Sequence, residues 1–384
     1  MKKCLVISDS FKGTLSSVKI CSLAEKSIKK IFPSCEVISI PVADGGEGTV
    51  DSFLSILKGE KISIDVKGPF FEDVHAYYGM FGKKAVIEMA QAAGLPLVEG
   101  RPDPLRASTY GVGQMIDDAV KRGAKEIVIG LGGSATNDGG CGCAAALGAV
   151  FKDKEGKEFV PVGGNLDLIA EIDISKAERK LSGIKISAMC DIDNPLYGKE
   201  GAAYVFGPQK GADEKTVELL DKNLAALSES IKRCLGKDVS GIPGSGAAGG
   251  MGGGISAFLG AELKPGIEAV LDMVCFCEKA PGADLIITGE GRLDTQTLRG
   301  KVISGVAKRA AELGVPVVAI VGAAEEGIDE IYDMGVSAVF PINRKPMPFS
   351  ESKYKSEEFY ESTLEDVLRL IRAVACKECS SQKL

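Results

Sequence analysis

The stretch CLVISDSFKGTLSSVKICSLAEKSIKKI, residues 4–31, holds the grammar of the whole chain. Leu5, Val6 and Ile7 form a short apolar run that ends at Ser8 and empties into Asp9-Ser10-Phe11-Lys12-Gly13-Thr14. Ile20, Ala24, Ile28 and Ile31 then recur at the spacing of one helix face, behind Ser16 or Ser17, either of which can accept from the N–H groups left orphaned at a helix start. A strand, a polar loop and an amphipathic helix in that order make a βα unit.

The unit recurs along the chain. Glu36 to Ala43 reads as a strand, and a helix follows with Val50, Phe53, Leu54 and Leu57 on one face. Between Ser108 and Arg122 a stripe of Val112, Met115, Ile116, Ala119 and Val120 predicts a helix, ended by Gly123 and followed by the strand Ile127 to Gly130. Strands at Leu285 to Thr288 and Val315 to Val321 flank a helix near Val302 to Leu313, with a last edge strand at Ala338 to Ile342. Such continuous apolar strands suit a parallel sheet buried on both faces. Lys61 to Gly94 instead alternates as antiparallel strands do. The economical architecture is a doubly wound α/β domain from 1–60, 104–140 and 281–384, with a second α/β domain, 61–103 and 141–280, inserted in two pieces. Residues 351–378 carry Leu364, Val367, Leu368, Ile371 and Val374 at helical spacing and predict a terminal docking helix. Ligands of open parallel sheets bind at the carboxyl ends of strands, and a cleft between domains is the expected site.

Composition narrows the chemistry. Across 384 residues, 46 Lys and Arg face 53 Asp and Glu, a net charge of −7 that offers no basic surplus for nucleic acid. With no Trp and the single histidine His75, a histidine base or a His-rich metal site is nearly excluded, and His75 itself reads as an ordinary strand residue. Eleven scattered cysteines read as small apolar residues of a reducing compartment, so a cytoplasmic location is expected. No apolar run reaches the roughly 18 residues that a membrane span needs.

Five loops could carry chemistry. Asp9 to Thr14 and Asp44-Gly45-Gly46-Glu47-Gly48-Thr49 place acids at a strand's end, where they can hold Mg²⁺ or merely cap the next helix. Gly130-Leu131-Gly132-Gly133-Ser134-Ala135-Thr136-Asn137-Asp138-Gly139-Gly140 offers successive N–H groups opening on a helix start, a natural phosphate cradle, though a plain turn is the alternative. Gly244 to Gly254 contains a formal G-x-G-x-x-G without a clear preceding strand, and serves equally as cradle or hinge. In Thr288-Gly289-Glu290-Gly291-Arg292-Leu293-Asp294, Arg292 can hold a small carboxylate through a bidentate pair, or be tied up in a structural Arg–Asp pair within the loop.

Ser8 to Ser16, Ala43 to Thr49, Gly132 to Gly140, Cys190-Asp191 through Asn194-Pro195-Leu196, Phe206-Gly207-Pro208-Gln209-Lys210-Gly211, Pro243 to Gly250 and Thr288 to Gly291 together closely resemble the bacterial type I glycerate kinases, in order and over nearly the whole chain. The resemblance implies phosphorylation of D-glycerate by ATP with Mg²⁺, on a flavodoxin-like (Rossmann-like) parallel-sheet domain carrying a second, inserted α/β domain. Chemistry then suggests Asp191, Lys12, Arg292 and Asp294 as catalytic residues. Gly132, Gly133, Ser134, Thr136, Asn137 and Asp138 are the expected nucleotide contacts, and Asp44, Glu47 and Glu290 the metal ligands. 2-Phosphoglycerate is favoured over 3-phosphoglycerate as product, and a homo-oligomer is compatible with this reading. The rivals are a non-catalytic binding protein for a small organic acid, and an NAD-dependent dehydrogenase that would use Gly244 to Gly249.

Overall fold

The computed structural model describes residues 1–381 apart from 43, 44, 47, 296 and 298–300, with side chains to residue 375. The chain divides into two compact units, Met1–Ala43 with Val270–Leu384, and Asp44–Ala269. In chain order the strands of the first unit begin with β1 (Lys3–Ser8) and β2 (Glu36–Pro41). The second unit contributes β3 (Glu60–Lys67), β4 (Asp73–Phe81), β5 (Lys84–Glu88), β6 (Glu126–Gly130), β7 (Val150–Lys152), β8 (Glu158–Phe159), β9 (Glu171–Asp173), β10 (Lys185–Met189) and β11 (Glu262–Lys264). The first unit resumes with β12 (Leu285–Gly289), β13 (Arg292–Leu293), β14 (Val317–Val321), β15 (Ala323–Ala324) and β16 (Val336–Pro341).

In the first unit a five-stranded sheet runs β2-β1-β12-β14-β16 with every pair parallel. Counting only those strands along the chain, the order is 2-1-3-4-5, the flavodoxin-like arrangement, and it reverses between β1 and β12. β1 and β14 are buried over nearly their whole length, which explains their apolar runs. The helix Ser17–Ile31 starts at Ser16, whose hydroxyl accepts from the Lys19 N–H at 3.2 Å. The terminal helix Ser356–Ser381 docks on it through Tyr360, Leu364 and Leu368, flanked by Lys26–Glu361 and Lys30–Glu365 ion pairs, each 2.7 Å.

In the second unit a six-stranded sheet runs β11-β10-β6-β5-β4-β3, parallel from β11 to β5 and antiparallel from β5 to β3. The antiparallel strands expected between Lys61 and Gly94 are present, and His75 lies exposed on β4, 2.9 Å from Asp65 Oδ1 across the ladder. The expected domain boundaries need correction. Strand β6 pairs with β5 and β10, so 104–140 belongs with 61–103 and 141–269, residues 44–60 join them in one continuous insert, and 270–280 joins the first unit. An apolar run such as Ile127-Val128-Ile129 announces burial on both faces but carries no information about which parallel sheet receives it.

Buried thiols behave as the composition suggests. Cys4, Cys21, Cys141 and Cys143 are free and buried, and burial pushes each thiol's pKa up, that of Cys21 to about 12. Among the described residues no helix is long and apolar enough to cross a membrane.

Candidate active site

Each unit carries its own cluster of candidate residues. In the first, the cluster lies at the sheet's switch point, where the carboxyl ends of β1 and β12 are neighbours and Ser8 pairs with Gly289. The Asp9 N–H donates to the Gly289 carbonyl at 2.9 Å, and the Ser8 hydroxyl donates to the same oxygen at 3.0 Å. Gly291 permits the close approach of the two loops, since a Cβ there would sit 3.2 Å from Phe11 Cα and 3.3 Å from the Lys12 nitrogen. Lys12 is exposed at this edge.

Glu290 is the buried acid of this cluster, only 5% exposed. Burial pushes its carboxyl up to about 7, with Asp9 and Asp294 pushing the same way and the Thr297 hydroxyl and Lys301 opposing. Thr297 joins the acids: its hydroxyl donates to Glu290 Oε1, and it accepts from the Asp294 N–H at 3.2 Å. Its own N–H donates to Asp294 Oδ1 at 3.2 Å, and Lys301 Nζ stands 3.8 Å from that oxygen. The sequence reading passed over Thr297, whose one signal is its place three residues after Asp294. Arg292, expected to hold a carboxylate ligand or to pair with an Asp of its own loop, donates instead to Glu325 Oε1, 33 residues on, at an exposed position.

In the second unit the loop after β6 is pinned on both sides. The Gly132 N–H donates to the Gly45 carbonyl at 3.2 Å, and a Cβ on Gly132 would lie 2.7 Å from Gly46 Cα. On the other side the Leu95 N–H donates to the Gly133 carbonyl at 2.9 Å and the Ala135 N–H to the Ala93 carbonyl at 2.8 Å. Asp44 and Glu47, expected metal ligands, lie outside the described residues. Their loop is anchored by Glu88, a residue sequence reasoning missed. Glu88 is 1% exposed and accepts from the Val50 N–H at 2.6 Å and the Gly48 N–H at 3.3 Å, satisfying the start of the helix Thr49–Ile56.

A cavity of about 310 Å³ opens beside the pinned loop. Its lining includes Gly132, Gly133, Ser134, Asp191, Gln209 and Lys210 together with the apolar Leu95, Leu131, Met189, Ile192 and Phe206. Lys210 Nζ donates to Ser134 Oγ at 2.9 Å and to the Thr136 carbonyl at 2.8 Å. It is 1% exposed, and burial lowers its pKa from 10.5 to about 7 against the pull of Asp138. Asp191 is exposed at the cavity, and its Oδ1 accepts from the Gly266 N–H at 2.8 Å where the helix Gly266–Met273 begins.

Two expectations for this loop are altered by packing. Asp138 is fully buried and accepts from the Thr109 N–H and hydroxyl at 2.7 and 2.8 Å, and from the Gly140 and Gly142 N–H groups at 3.0 and 3.2 Å. It therefore takes up the N–H groups at the start of the helix Cys141–Ala146 that a phosphate was expected to meet. Thr136 and Asn137 are also fully buried, with side-chain polar atoms that have no hydrogen-bond partner among the described residues. Of the expected nucleotide contacts, Gly132, Gly133 and Ser134 line the cavity and these three do not.

The Gly244 to Gly254 segment lacks the preceding strand of a Rossmann turn. Its glycines let backbones touch: a Cβ on Gly254 would lie 1.8 Å from the Gly139 carbonyl oxygen, and one on Gly249 2.0 Å from that of Thr136. Ala248, Gly249 and Gly250 take left-handed conformations inside the helix Ala247–Leu259, and no strand runs directly into Gly244. The segment buttresses the loop after β6 from behind.

Comparison with known proteins shows the family. Residues 4–372 match the Glycerate kinase family. A glycerate kinase of Bacillus cereus (strain ATCC 10987 / NRS 248) is 46% identical over 368 residues, covering 95% of this chain and 97% of that one. A glycerate 2-kinase of Escherichia coli (strain K12) is 44% identical, covering 88% and 90%. The crystal structure of a Salmonella typhimurium LT2 protein assigned as glycerate kinase 2 superposes with a TM-score of 0.83 at 39% identity, covering 100% of both chains.

Proposed function

The chain belongs to the glycerate kinase family of enzymes, and on that premise we propose that it transfers the γ-phosphoryl group of ATP to a hydroxyl of D-glycerate, with Mg²⁺, in the cytoplasm. One observation carries the proposal: a buried lysine, a glycine-rich loop and a carboxylate converge on a single cavity in Lys210, Gly132 to Ser134 and Asp191. Those are the parts phosphoryl transfer needs for positioning and charge stabilisation. 2-Phosphoglycerate is the favoured product, on the strength of the similarity to the Escherichia coli protein named glycerate 2-kinase.

Asp191 is assigned to orient the attacking hydroxyl and take up its proton, which asks little of a base when the transition state is loose. Lys12 is assigned to the charge that develops on the transferred phosphoryl group. Arg292 is assigned to the glycerate carboxylate, a role that requires it to exchange Glu325 for the substrate. Asp294 holds Thr297 and Lys301 in place beside Glu290.

Among the described residues no three metal-binding side chains converge. Mg²⁺ commonly takes one or two protein carboxylates and completes its shell with water and substrate phosphates. Glu290 and Asp9, whose charge adds to the cost of ionising Glu290 at the switch point, fit that donor set. Bound there, the ion would supply neutralising charge to the phosphate oxygens.

The test is an assay of ATP consumption with D-glycerate and Mg²⁺, its product identified by NMR. Turnover that requires all three and yields 2-phosphoglycerate is expected. Undiminished turnover in excess EDTA would remove the metal, and a hydride-transfer signal with NAD⁺ would restore the dehydrogenase reading.

A further inference from the structure

Lys210 stands apart from every other lysine of known surroundings in this protein because it is 1% exposed and faces a cavity rather than a carboxylate partner. Burying an ammonium group is costly unless it is paired or gives up its proton. Its two partners, Ser134 Oγ at 2.9 Å and the Thr136 carbonyl at 2.8 Å, are neutral acceptors on the glycine-rich loop. A neutral amine has two N–H donors, and those two bonds use both. An ammonium has three, so protonation creates a further donor on a group that already lines the cavity.

We propose that Lys210 is a phosphate-binding residue of the kinase reaction, which takes up a proton when the nucleotide binds and directs its third N–H, with the full charge, at the phosphate oxygens. The inference rests on reading the cavity as the nucleotide site. The size and lining of the cavity favour that assignment over glycerate: about 310 Å³, with Leu95, Leu131, Met189, Ile192 and Phe206 among its lining residues, suits a heteroaromatic base better than a small polar acid.

The other titratable groups that bear on Lys210 lie in the loops after β6 and β10. Asp138, in the loop after β6, favours the charged amine and is held by four hydrogen bonds of its own. Asp191 and Cys190, in the loop after β10, line the same cavity, and burial keeps the Cys190 thiol protonated. With the free amine at about 7, roughly nine-tenths of Lys210 is neutral at pH 8, and an anionic ligand restores the proton. Nucleotide binding should therefore take up about 0.9 proton at pH 8 and only about 0.1 at pH 6.

Calorimetric titration of the full chain with ATP and Mg²⁺, at pH 8 in two buffers of different ionisation enthalpy, reads this uptake directly. The expected result is close to one proton per ATP for the native protein and none for Lys210→Met, whose ATP Kd should rise at least about tenfold while its glycerate Kd moves less than about twofold. ATP binding to the native protein without proton uptake at pH 8, or native-like ATP affinity in Lys210→Met, would overturn the inference. If Gly133→Val still weakened ATP in that case, the nucleotide reading of the cavity would survive. A Lys210→Met variant that loses glycerate and keeps ATP would overturn both. The native-protein titration stands alone should Lys210→Met fail to fold.

Discussion

Glu290→Gln should make the metal-free protein more stable at alkaline pH while it removes activity. Glu290 is 5% exposed, and burial together with Asp9 and Asp294 pushes its carboxyl from 4.5 to about 7. In the unfolded chain the group returns to its ordinary value. Between those two values the folded protein binds more protons than the unfolded one, so stability is fully present below the lower value and falls as pH rises through the upper. A gap of about 2.5 pH units at about 1.4 kcal/mol each gives about 3.5 kcal/mol as the most that ionising Glu290 can cost the fold. Glutamine has no charge to desolvate, yet its carbonyl still accepts from the Thr297 hydroxyl that now bonds Glu290.

The assay is equilibrium urea unfolding in EDTA at pH 5, 6.5 and 8. The variant should match the native protein within about 1 kcal/mol at pH 5 and exceed it by up to about 3 kcal/mol at pH 8, with kcat down by about a hundredfold or more. Adding Mg²⁺ at pH 8 should then raise the stability of the native protein and leave the variant unmoved, because a ligand stabilises only the state that binds it. A variant equally destabilised at pH 5 and pH 8 would refute the reasoning, since the folded state would then favour the Glu290 carboxylate rather than bear its cost.

Four more outcomes are expected. Asp191→Asn should lower kcat by about a hundredfold with ATP binding near normal, and near-full kcat would leave Asp191 as the cap of the helix Gly266–Met273 alone. Gly133 has a φ of +72°, so Gly133→Val should distort the loop and raise the KM for ATP by about tenfold, more than that for glycerate; the reverse ranking would move the nucleotide elsewhere. Arg292→Ala should raise the glycerate KM by about tenfold and Glu325→Gln, which frees the guanidinium, should leave it unchanged or lower; no effect in Arg292→Ala retires the clamp. Gly254→Ala would place a Cβ 1.8 Å from the Gly139 carbonyl oxygen, a backbone atom that cannot swing aside, and should cost about 2–3 kcal/mol by thermal unfolding, whereas a hinge would tolerate the methyl.

What the sequence made legible is local, and what it hid is tertiary. The βα grammar and the Ser16 cap need only neighbours in the chain, so Leu5 to Ile31 folds as it reads. Strand β6 was readable as buried but not as a partner of β5 and β10, because an apolar run is equally at home in either parallel sheet. The same limit governs the site. Asp138 and Lys210 are both polar residues in glycine-rich loops, and periodicity treats them alike. Folding spends Asp138 on four hydrogen bonds that close a helix start, and leaves Lys210 against two neutral oxygens at the wall of a cavity. Arg292 and Glu325 are 33 residues apart and meet only because β13 pairs with β15. A motif therefore names the residues from which a site can be made. Which of them remain available to a ligand depends on how many of their hydrogen bonds the fold has already used, and that count exists only once the distant loops have been brought together.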